Sequence, residues 1–289
     1  ALDEHVGALV DLAYVRLRLG RFGAAIETFE NALSIVQELP DSILMASVLT
    51  DLATAHHTLG QYRRAAATYR RALAYQKAPD RTAETLIALA RSSAAMGSQP
   101  QALEAYHDAL QYTLSPAQRR AVLIEQATAH VAIDQHNTAI ETYNAALAIS
   151  GISSTEQAAI RRGLGKIYAI MGAHDNARRN FEQALEAVED EQTGLTLRAI
   201  GDGHRAQKQI SAALDAYSRA LPYLDRGVFP IDRAAVQRAM GELYLEEGRA
   251  AEALGALENA LEIERALPQQ DGGRIVANLR GIAAAYELR

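Results

Sequence analysis

The chain has 289 residues, of which 49% are hydrophobic, and a formal net charge of −6 at pH 7. It contains no cysteine, which excludes a disulfide framework, a thiolate zinc site and a cysteine nucleophile. The acidic balance argues against nucleic-acid binding, and the lack of any run of about 18 apolar residues argues against a membrane-spanning helix.

A short pattern recurs along the chain and divides it into units. An Ala is followed four residues later by an aromatic residue or Leu, and then, at seven and eight residues, by an Ala-Leu pair. The first unit carries this pattern as Ala25, Phe29, Ala32 and Leu33. The leading Ala residues of the successive units are Ala25, Ala65, Ala102, Ala139, Ala177, Ala213 and Ala253. Such recurrence predicts an array of stacked structural repeats.

Each unit reads as two amphipathic helices joined by a tight turn. On the first helix a mostly bulky residue precedes a small one, and we call the second of these the small position. The small positions are Ala13, Ala53, Ala90, Ala127, Gly165, Gly201 and Gly241. Five residues before each leading Ala stands Gly20, Gly60, Gly97, Gly172 or Gly248, with Asp134 and Lys208 as exceptions. Gly accepts the left-handed conformation that ends a helix, so a turn is predicted there.

These features resemble the tetratricopeptide repeat family, whose first helix carries a small residue and a Tyr and whose second carries Ala, an aromatic residue and Ala. The resemblance implies an all-α fold, a tetratricopeptide-type α-solenoid in which antiparallel helix pairs form a right-handed superhelix. The family's Trp is absent. Several Pro residues lie further behind the Ala-Leu pair than in the family, namely Pro40, Pro79, Pro116 and Pro268. We therefore expect second helices about half a turn to a turn longer than usual.

We expect a single array over residues 1–289. The expected repeats span approximately residues 6–44, 46–81, 83–118, 120–156, 158–192, 194–229 and 234–269. Residues 273–289 are expected to form a terminal helix or a truncated eighth repeat, because Leu279, Ile282 and Tyr286 occupy first-helix positions. The excess of Arg over Lys favours a bacterial source, and the apolar last helix favours a fragment of a larger protein.

In the family, first-helix side chains line a concave groove that binds a partner segment, and two positions in each repeat face that groove. The residue three before the small position is Val10, Thr50, Ile87, Ile124, Arg162, Arg198, Arg238 and, in the last helix, Arg280. The residue just after the small position includes Tyr14, Arg91 and Lys166, and Arg205 is a further candidate contact. The groove is expected to change from largely uncharged to charged along the chain.

The Arg residues of the later units have two interpretations. Guanidinium groups at one repeat spacing suit carboxylates or phosphates of a ligand. Alternatively, Arg198 pairs with Asp202, and Arg238 with Glu242, along the helix or between neighbouring helices. Arg162 and Lys166 have no acid at that spacing on their own helix, which makes them the stronger candidates for ligand contact.

Other chemistry finds little support. Gly163-Leu164-Gly165-Lys166 lacks the loop length, the Ser or Thr and the preceding strand of a phosphate loop. His56, His130 and His204 lie one per unit, too far apart to share a metal. We therefore expect no catalytic residues, no metal and no cofactor.

The function expected is that of a non-enzymatic scaffold in the cytoplasm, which binds a protein or peptide in the groove, and an acidic segment is a candidate feature of this partner. No nucleic-acid or membrane partner is expected, and the exposed terminal helix offers a route to a homo-oligomer. Two alternatives stay open. The chain is the sensor arm of a larger bacterial signalling ATPase or transcriptional regulator, or it is the accessory region of an enzyme whose catalytic part lies elsewhere.

Overall fold

The computed structural model describes residues 2–37, 42–187, 191–224, 229–267 and 271–288. Within these ranges the chain is all-α, with fifteen helices and no strand. The residues group into two compact units, Ala1–Gly151 and Ile152–Arg289. From here on, "unit" means one of these two parts of the chain, and each helix pair is called a repeat. Each unit has its own buried clusters of Ala, Leu and aromatic side chains.

The helices of each unit follow one another with short connections. The first unit contains α1 (Leu2–Arg18), α2 (Phe22–Val36), α3 (Ser42–Thr58), α4 (Tyr62–Leu73), α5 (Pro79–Ala95), α6 (Gln99–Ala109), α7 (Pro116–Val131) and α8 (His136–Leu147). The second contains α9 (Ser154–Ile170), α10 (His174–Ala187), α11 (Glu191–Ala206), α12 (Ile210–Leu224), α13 (Pro230–Glu246), α14 (Ala250–Ala266) and α15 (Gly272–Glu287).

Odd-numbered helices pack against the even-numbered helices that follow them, as the repeat pattern predicts. In the first unit α1 also contacts α3, and α3 contacts α5. In the second unit α9 contacts α11, and α13 contacts α15. The first helices of successive repeats therefore form a row within each unit. This arrangement confirms the predicted all-α tetratricopeptide fold class.

The turn between the two helices of a repeat has the same backbone in every repeat. All five predicted Gly residues have positive φ, for example Gly60 at 72°. The two exceptions do the same, Asp134 at 58° and Lys208 at 57°. The N–H of the following residue closes the turn, as where Gln61 N donates to the His56 carbonyl oxygen at 2.9 Å. The turn geometry thus overrides the conformational preference of the side chain.

Close approach of the paired helices requires the small positions. A Cβ added at Gly201 would lie 2.5 Å from the Tyr217 ring, and one added at Gly165 would lie 2.6 Å from the Phe181 ring. The aromatic residue of the second helix therefore occupies the space that a side chain at the small position would need. The Gly163 to Lys166 segment lies within α9, as the repeat register predicts.

The expectation of longer second helices is wrong at the two proline positions that the structure describes. Pro79 and Pro116 are the first residues of α5 and α7. The helices before them are short, with 12 residues in α4 and 11 in α6. Pro is favoured at the first helical position because it has no N–H to leave unpaired there. The extra residues at these two positions are therefore in the links, while Pro40 and Pro268 lie outside the described residues.

The last helix, α15, packs on α13 and α14. Asp271 caps its start, because its carboxylate accepts hydrogen bonds from the backbone N–H groups of Gly273 and Arg274. Val276, Leu279 and Tyr286 on α15 are exposed. In the other repeats, the second helix covers the corresponding face of the first helix.

Candidate functional site

In the first unit, polar side chains join the first helices of successive repeats. The Tyr14 hydroxyl on α1 donates to Asp51 Oδ1 on α3 at 2.5 Å, and the Tyr14 ring packs edge-on against Phe29. Burial and the neighbouring Asp51 carboxylate raise the pKa of Tyr14 above its usual value. Further along, His57 Nδ1 on α3 lies 2.8 Å from Ser92 Oγ on α5. These contacts hold the row of first helices in register.

The strongest of these links is an ion pair between α5 and α7. Arg91 Nη2 lies 2.7 Å from Glu125 Oε1, and Arg91 Nε lies 2.9 Å from Glu125 Oε2. The Tyr106 hydroxyl donates to Glu125 Oε2 at 2.9 Å. Because Glu125 satisfies Arg91 on two sides, this cation is largely committed within the protein.

The predicted uncharged contacts of the first unit differ in accessibility. Val10, Thr50 and Ile124 are half-buried. Thr50 uses its hydroxyl locally, since Oγ1 donates to the Ala46 carbonyl oxygen at 2.8 Å. Ile87 is only 8% exposed and belongs to a core cluster with Leu86. Ile87 therefore stabilises the fold and offers little surface to a partner.

In the second unit, Arg198 on α11 is held between two carboxylates. Arg198 Nη1 is hydrogen-bonded to Asp232 Oδ1 on α13, and Arg198 Nε lies 3.8 Å from Asp202 Oδ2 on its own helix. The Tyr217 hydroxyl donates to Asp202 Oδ1 at 2.7 Å. Burial and the Asp202 carboxylate raise the pKa of Tyr217. The expected pairing of Arg198 with Asp202 is present, but the closer partner is Asp232.

Arg205 and Arg238 are also paired across helices. Arg205 Nη2 on α11 lies 2.6 Å from Glu242 Oε2 on α13. Arg238 Nη1 lies 3.1 Å from Oε1 of Glu264, a buried residue of α14. The expected pairing of Arg238 with Glu242 is wrong, because Glu242 reaches back to Arg205 and Arg238 turns towards α14.

Lys166 on α9 differs from these arginines, because it makes no hydrogen bond and no ion pair with any residue in the described ranges. The surrounding protein desolvates its ammonium group, and the guanidinium groups of Arg198 and Arg162 repel it, so its pKa lies below the usual value for Lys. The side chain is nevertheless exposed to water.

The neighbour of Lys166 on the second helix offers it no hydroxyl group. In three other repeats the residue after the small position meets a Tyr hydroxyl, as Thr54 meets Tyr69 at 2.9 Å. Beside Lys166 the corresponding aromatic residue is Phe181, whose ring contacts the small position Gly165 and has no hydroxyl. Arg280 on α15 is likewise exposed and makes no ion pair within the described part of the chain.

His56, His130 and His204 each make the same kind of hydrogen bond, which the sequence did not lead us to expect. Nδ1 of His56 lies 2.8 Å from Gln61 Oε1, and the pairs of His130 with Gln135 and of His204 with Gln209 repeat the contact at 2.7 and 2.6 Å. The repeated spacing of five residues between His and Gln was the available signal. Among the residues described, no three His, Cys, Asp or Glu side chains are grouped as metal ligands would be.

A cleft of about 290 Å³ opens between α9, α10 and α11. Ala169, Phe181, Ile200 and Gly203 form its apolar walls. Sequence analysis did not find it, because no single residue of the repeat pattern marks it. The signal was the coincidence of two small residues, Ala169 and Gly203, on the facing sides of neighbouring first helices.

Comparison with known proteins identifies the family. The tetratricopeptide repeat profile matches residues 5–78, 118–190 and 156–226, which together cover more than half of the chain. The chain therefore belongs to the tetratricopeptide repeat family. Members of this family are typically non-catalytic scaffolds that mediate contacts between proteins. No curated protein matches the sequence.

Solved structures share the fold at low identity. A tetratricopeptide repeat protein from Parabacteroides merdae is 15% identical with a TM-score of 0.74, and the match covers 98% of this chain and 99% of that one. The apo form of RapI is 16% identical with a TM-score of 0.66, over 89% of this chain and 74% of that one. A chain of the APC/C hetero-tetramer Cut9-Hcn1 is 17% identical with a TM-score of 0.58, over 91% of this chain and 48% of that one.

None of the helices in the described ranges combines the length and apolar character needed to cross a membrane.

Proposed function

We propose that this chain is a non-enzymatic scaffold whose row of first helices binds a segment of a protein partner, and that an acidic group of this segment contacts Lys166. The observation that carries the proposal is the contrast between Lys166, which is exposed and makes no hydrogen bond or ion pair within the described residues, and Arg198, Arg205 and Arg238, which are in ion pairs. The scaffold role of the family supports it, and a structural neighbour of this chain is part of the hetero-tetramer Cut9-Hcn1.

The electrostatics of Lys166 favour a ligand that brings its own negative charge. The ammonium group is desolvated and lies near Arg198 and Arg162. Asp202 and Asp232 act on it only weakly, since both engage Arg198. A carboxylate of the partner would relieve the remaining repulsion and the desolvation. Because the side chain is exposed to water, the contact is expected to contribute about 1 kcal/mol and to weaken as salt rises.

The other predicted contacts have secondary roles in this proposal. Arg162 and Arg280 are the remaining cations of the second unit's row, and Arg280 is exposed. In the first unit, Tyr14, Arg91, Val10, Thr50 and Ile124 line the corresponding row. Hydrogen bonds to neighbouring first helices position Tyr14 and Arg91, and the exposed surface of this row is available for contacts with the partner.

The test is a peptide array probed with the wild-type chain and with Lys166→Gln and Lys166→Glu. Lys208→Gln is a matched control, because it makes the same charge change on a turn of the same unit. We expect wild type to retain acidic peptides, Lys166→Gln to bind them about fivefold more weakly, as loss of about 1 kcal/mol implies, and Lys166→Glu to lose them. Lys208→Gln is expected to bind like wild type.

Two results would contradict the proposal. One is a wild-type chain that retains no peptide at low salt, and the other is unchanged binding of acidic peptides by Lys166→Glu. Circular dichroism establishes that each variant is folded. Arg238 is not suitable for this experiment, because its replacement would leave the buried Glu264 carboxylate without its cation.

A further inference from the structure

We propose that the cleft between α9, α10 and α11 receives an apolar side chain, aromatic or leucine, of the same partner segment, and that the neighbouring carboxylate of that segment lies over Lys166. This inference rests on the proposed function and specifies the chemistry of its ligand. A ligand that satisfies both features carries an apolar group and a carboxylate a few bonds apart.

The cleft is open because Gly203 has no side chain, whereas the two neighbouring repeats carry a large one at the same position. Gly203 lies two residues after the small position Gly201 on α11. The same position holds Ile167 on α9 and Leu243 on α13, and both are buried. A Cβ added at Gly203 would meet only the Cβ of Ala169, at 4.0 Å. The space beside Gly203 can therefore hold a larger group, and close helix packing does not require a Gly at this position.

Large side chains close the equivalent space between α3, α4 and α5. There His57 takes the position that Ala169 holds on α9. Its ring lies 5.2 Å from the Tyr62 ring, and its Nδ1 lies 2.8 Å from Ser92 Oγ. The protein thus fills this position with its own aromatic groups in one repeat and leaves it open beside Phe181. An external aromatic or leucine group fits the geometry that His57 and Tyr62 occupy elsewhere.

A second opening in the first unit has different chemistry. It lies between α5, α6 and α7, measures about 300 Å³ and includes Gln99 and Glu125 in its lining. Gln99 Oε1 is buried and accepts no hydrogen bond within the described residues. Glu125 would repel a carboxylate, and the amide oxygen of Gln99 needs a hydrogen-bond donor. An apolar group joined to a carboxylate therefore belongs in the second unit's cleft.

The size of the cleft suits one such side chain. A cavity of about 150 Å³ is enough to bind benzene when its walls are apolar. The α9–α11 cleft has about 290 Å³, and Phe181, Ile200 and Ala169 supply apolar walls. Transfer of an aromatic ring from water to such walls is favourable in proportion to the apolar area that becomes buried.

The charges around the cleft determine the direction of the carboxylate. Lys166 precedes Ala169 by three residues, so both lie on one face of α9 within one turn. On the opposite side the cleft is lined by Asp175, Arg178 and Glu182 of α10, and both acids engage Arg178, at 3.9 and 3.0 Å. A carboxylate placed over α10 would have to compete with these acids for Arg178, whereas one placed over α9 would approach the ammonium group of Lys166, which lies outside the lining of the cleft.

The smallest probe that contains both features is 3-phenylpropionate, and 3-phenylpropanamide is its uncharged analogue. We expect 3-phenylpropionate to shift the methyl NMR signals of Ala169 and Ile200, with dissociation constants in the millimolar range that such small ligands reach. The amide is expected to shift the same signals but to bind a few times more weakly.

Three variants separate the two features. Gly203→Leu places a side chain in the cleft, as Leu243 does in the equivalent position, and is expected to abolish the shifts from both probes. The Lys166→Gln variant is expected to bind both probes with similar affinity, so that the preference for 3-phenylpropionate over the amide is lost. Gly255→Leu makes the same change on α14, where an added Cβ meets nothing within 4 Å, and is expected to leave both probes unaffected.

The outcomes distinguish this inference from the proposed function. If the probes do not shift Ala169 and Ile200, or if Gly203→Leu binds them as wild type does, the cleft is not a binding site. Should acidic peptides still bind in a Lys166-dependent manner, the proposed scaffold function would stand without it. Equal affinity for acid and amide in the wild-type chain would overturn the assignment of the carboxylate to Lys166.

Discussion

Gly201 illustrates how a single missing side chain sets the distance between two helices. We expect Gly201→Ala to lower the free energy of unfolding by about 1–3 kcal/mol, because its Cβ would lie 2.5 Å from the Tyr217 ring. Urea unfolding followed by circular dichroism measures this effect. Gly255→Ala on α14 is the control and is expected to stabilise by up to about 1 kcal/mol, since it gains helix propensity without a clash. A gain at Gly201 would contradict the packing described.

The left-handed turn residues make a second prediction at the scale of single residues. Asp134 and Lys208 adopt positive φ, where Gly has no steric cost. Lys208→Gly is expected to raise the unfolding free energy by about 0.5–1 kcal/mol. Asp134→Gly is expected to gain less, because Asp tolerates this conformation better than Lys. Thermal unfolding of both variants beside Gly60→Ala, which is expected to lose stability, checks the order.

At the scale of helices, one buried carboxylate joins the last three. Glu264 on α14 is 2% exposed, and it pairs with Arg238 on α13 and accepts a hydrogen bond from Asn278 Nδ2 on α15 at 3.3 Å. Burial raises the pKa of Glu264. The ion pair therefore offsets the cost of a charge inside the helix packing.

Removal of one partner from this cluster should be costly. We expect Arg238→Met to reduce the unfolding free energy by about 3 kcal/mol, because it leaves the Glu264 carboxylate buried without its cation. Arg238→Met combined with Glu264→Leu is expected to recover much of the loss. Arg280→Met on α15 is the control, and it should stay within about 0.5 kcal/mol of wild type in urea unfolding, as exposed sites usually do. Equal effects of Arg238→Met and Arg280→Met would argue against the cluster.

The helices and their charged links differ in how far the sequence predicts them. Helix pairs follow from apolar spacing and turn residues, which are local. Arg198 is separated from Asp232 by 34 residues, and Arg205 from Glu242 by 37. The repeat register places these residues on neighbouring first helices. Which of the nearby acids an Arg side chain reaches depends on its rotamer. This is why the sequence suggested Glu242 as the alternative to a ligand for Arg238, whereas Arg238 pairs with Glu264.

At the scale of the whole molecule, each helix pair depends on its immediate neighbours, so perturbations should stay local. In native-state hydrogen exchange, Gly201→Ala is expected to reduce protection in α11 and α12 and in the helices that pack on them. The amides of α1 to α4 are expected to exchange as in wild type. A uniform loss of protection over all fifteen described helices would show instead that the array unfolds as one cooperative block.

By itself the sequence determined the family, the helix pairs, the small positions and the turns. These features depend on residues close together in the chain and recur in every repeat, so each repeat supports the assignment of the others. Only the tertiary structure decided which cations are paired and where the surface opens. Lys166 is unpaired because the nearby acids, Asp202 and Asp232, engage Arg198. The cleft likewise depends on Ala169 and Gly203 facing each other across two repeats, a coincidence that becomes visible only when the helices are packed.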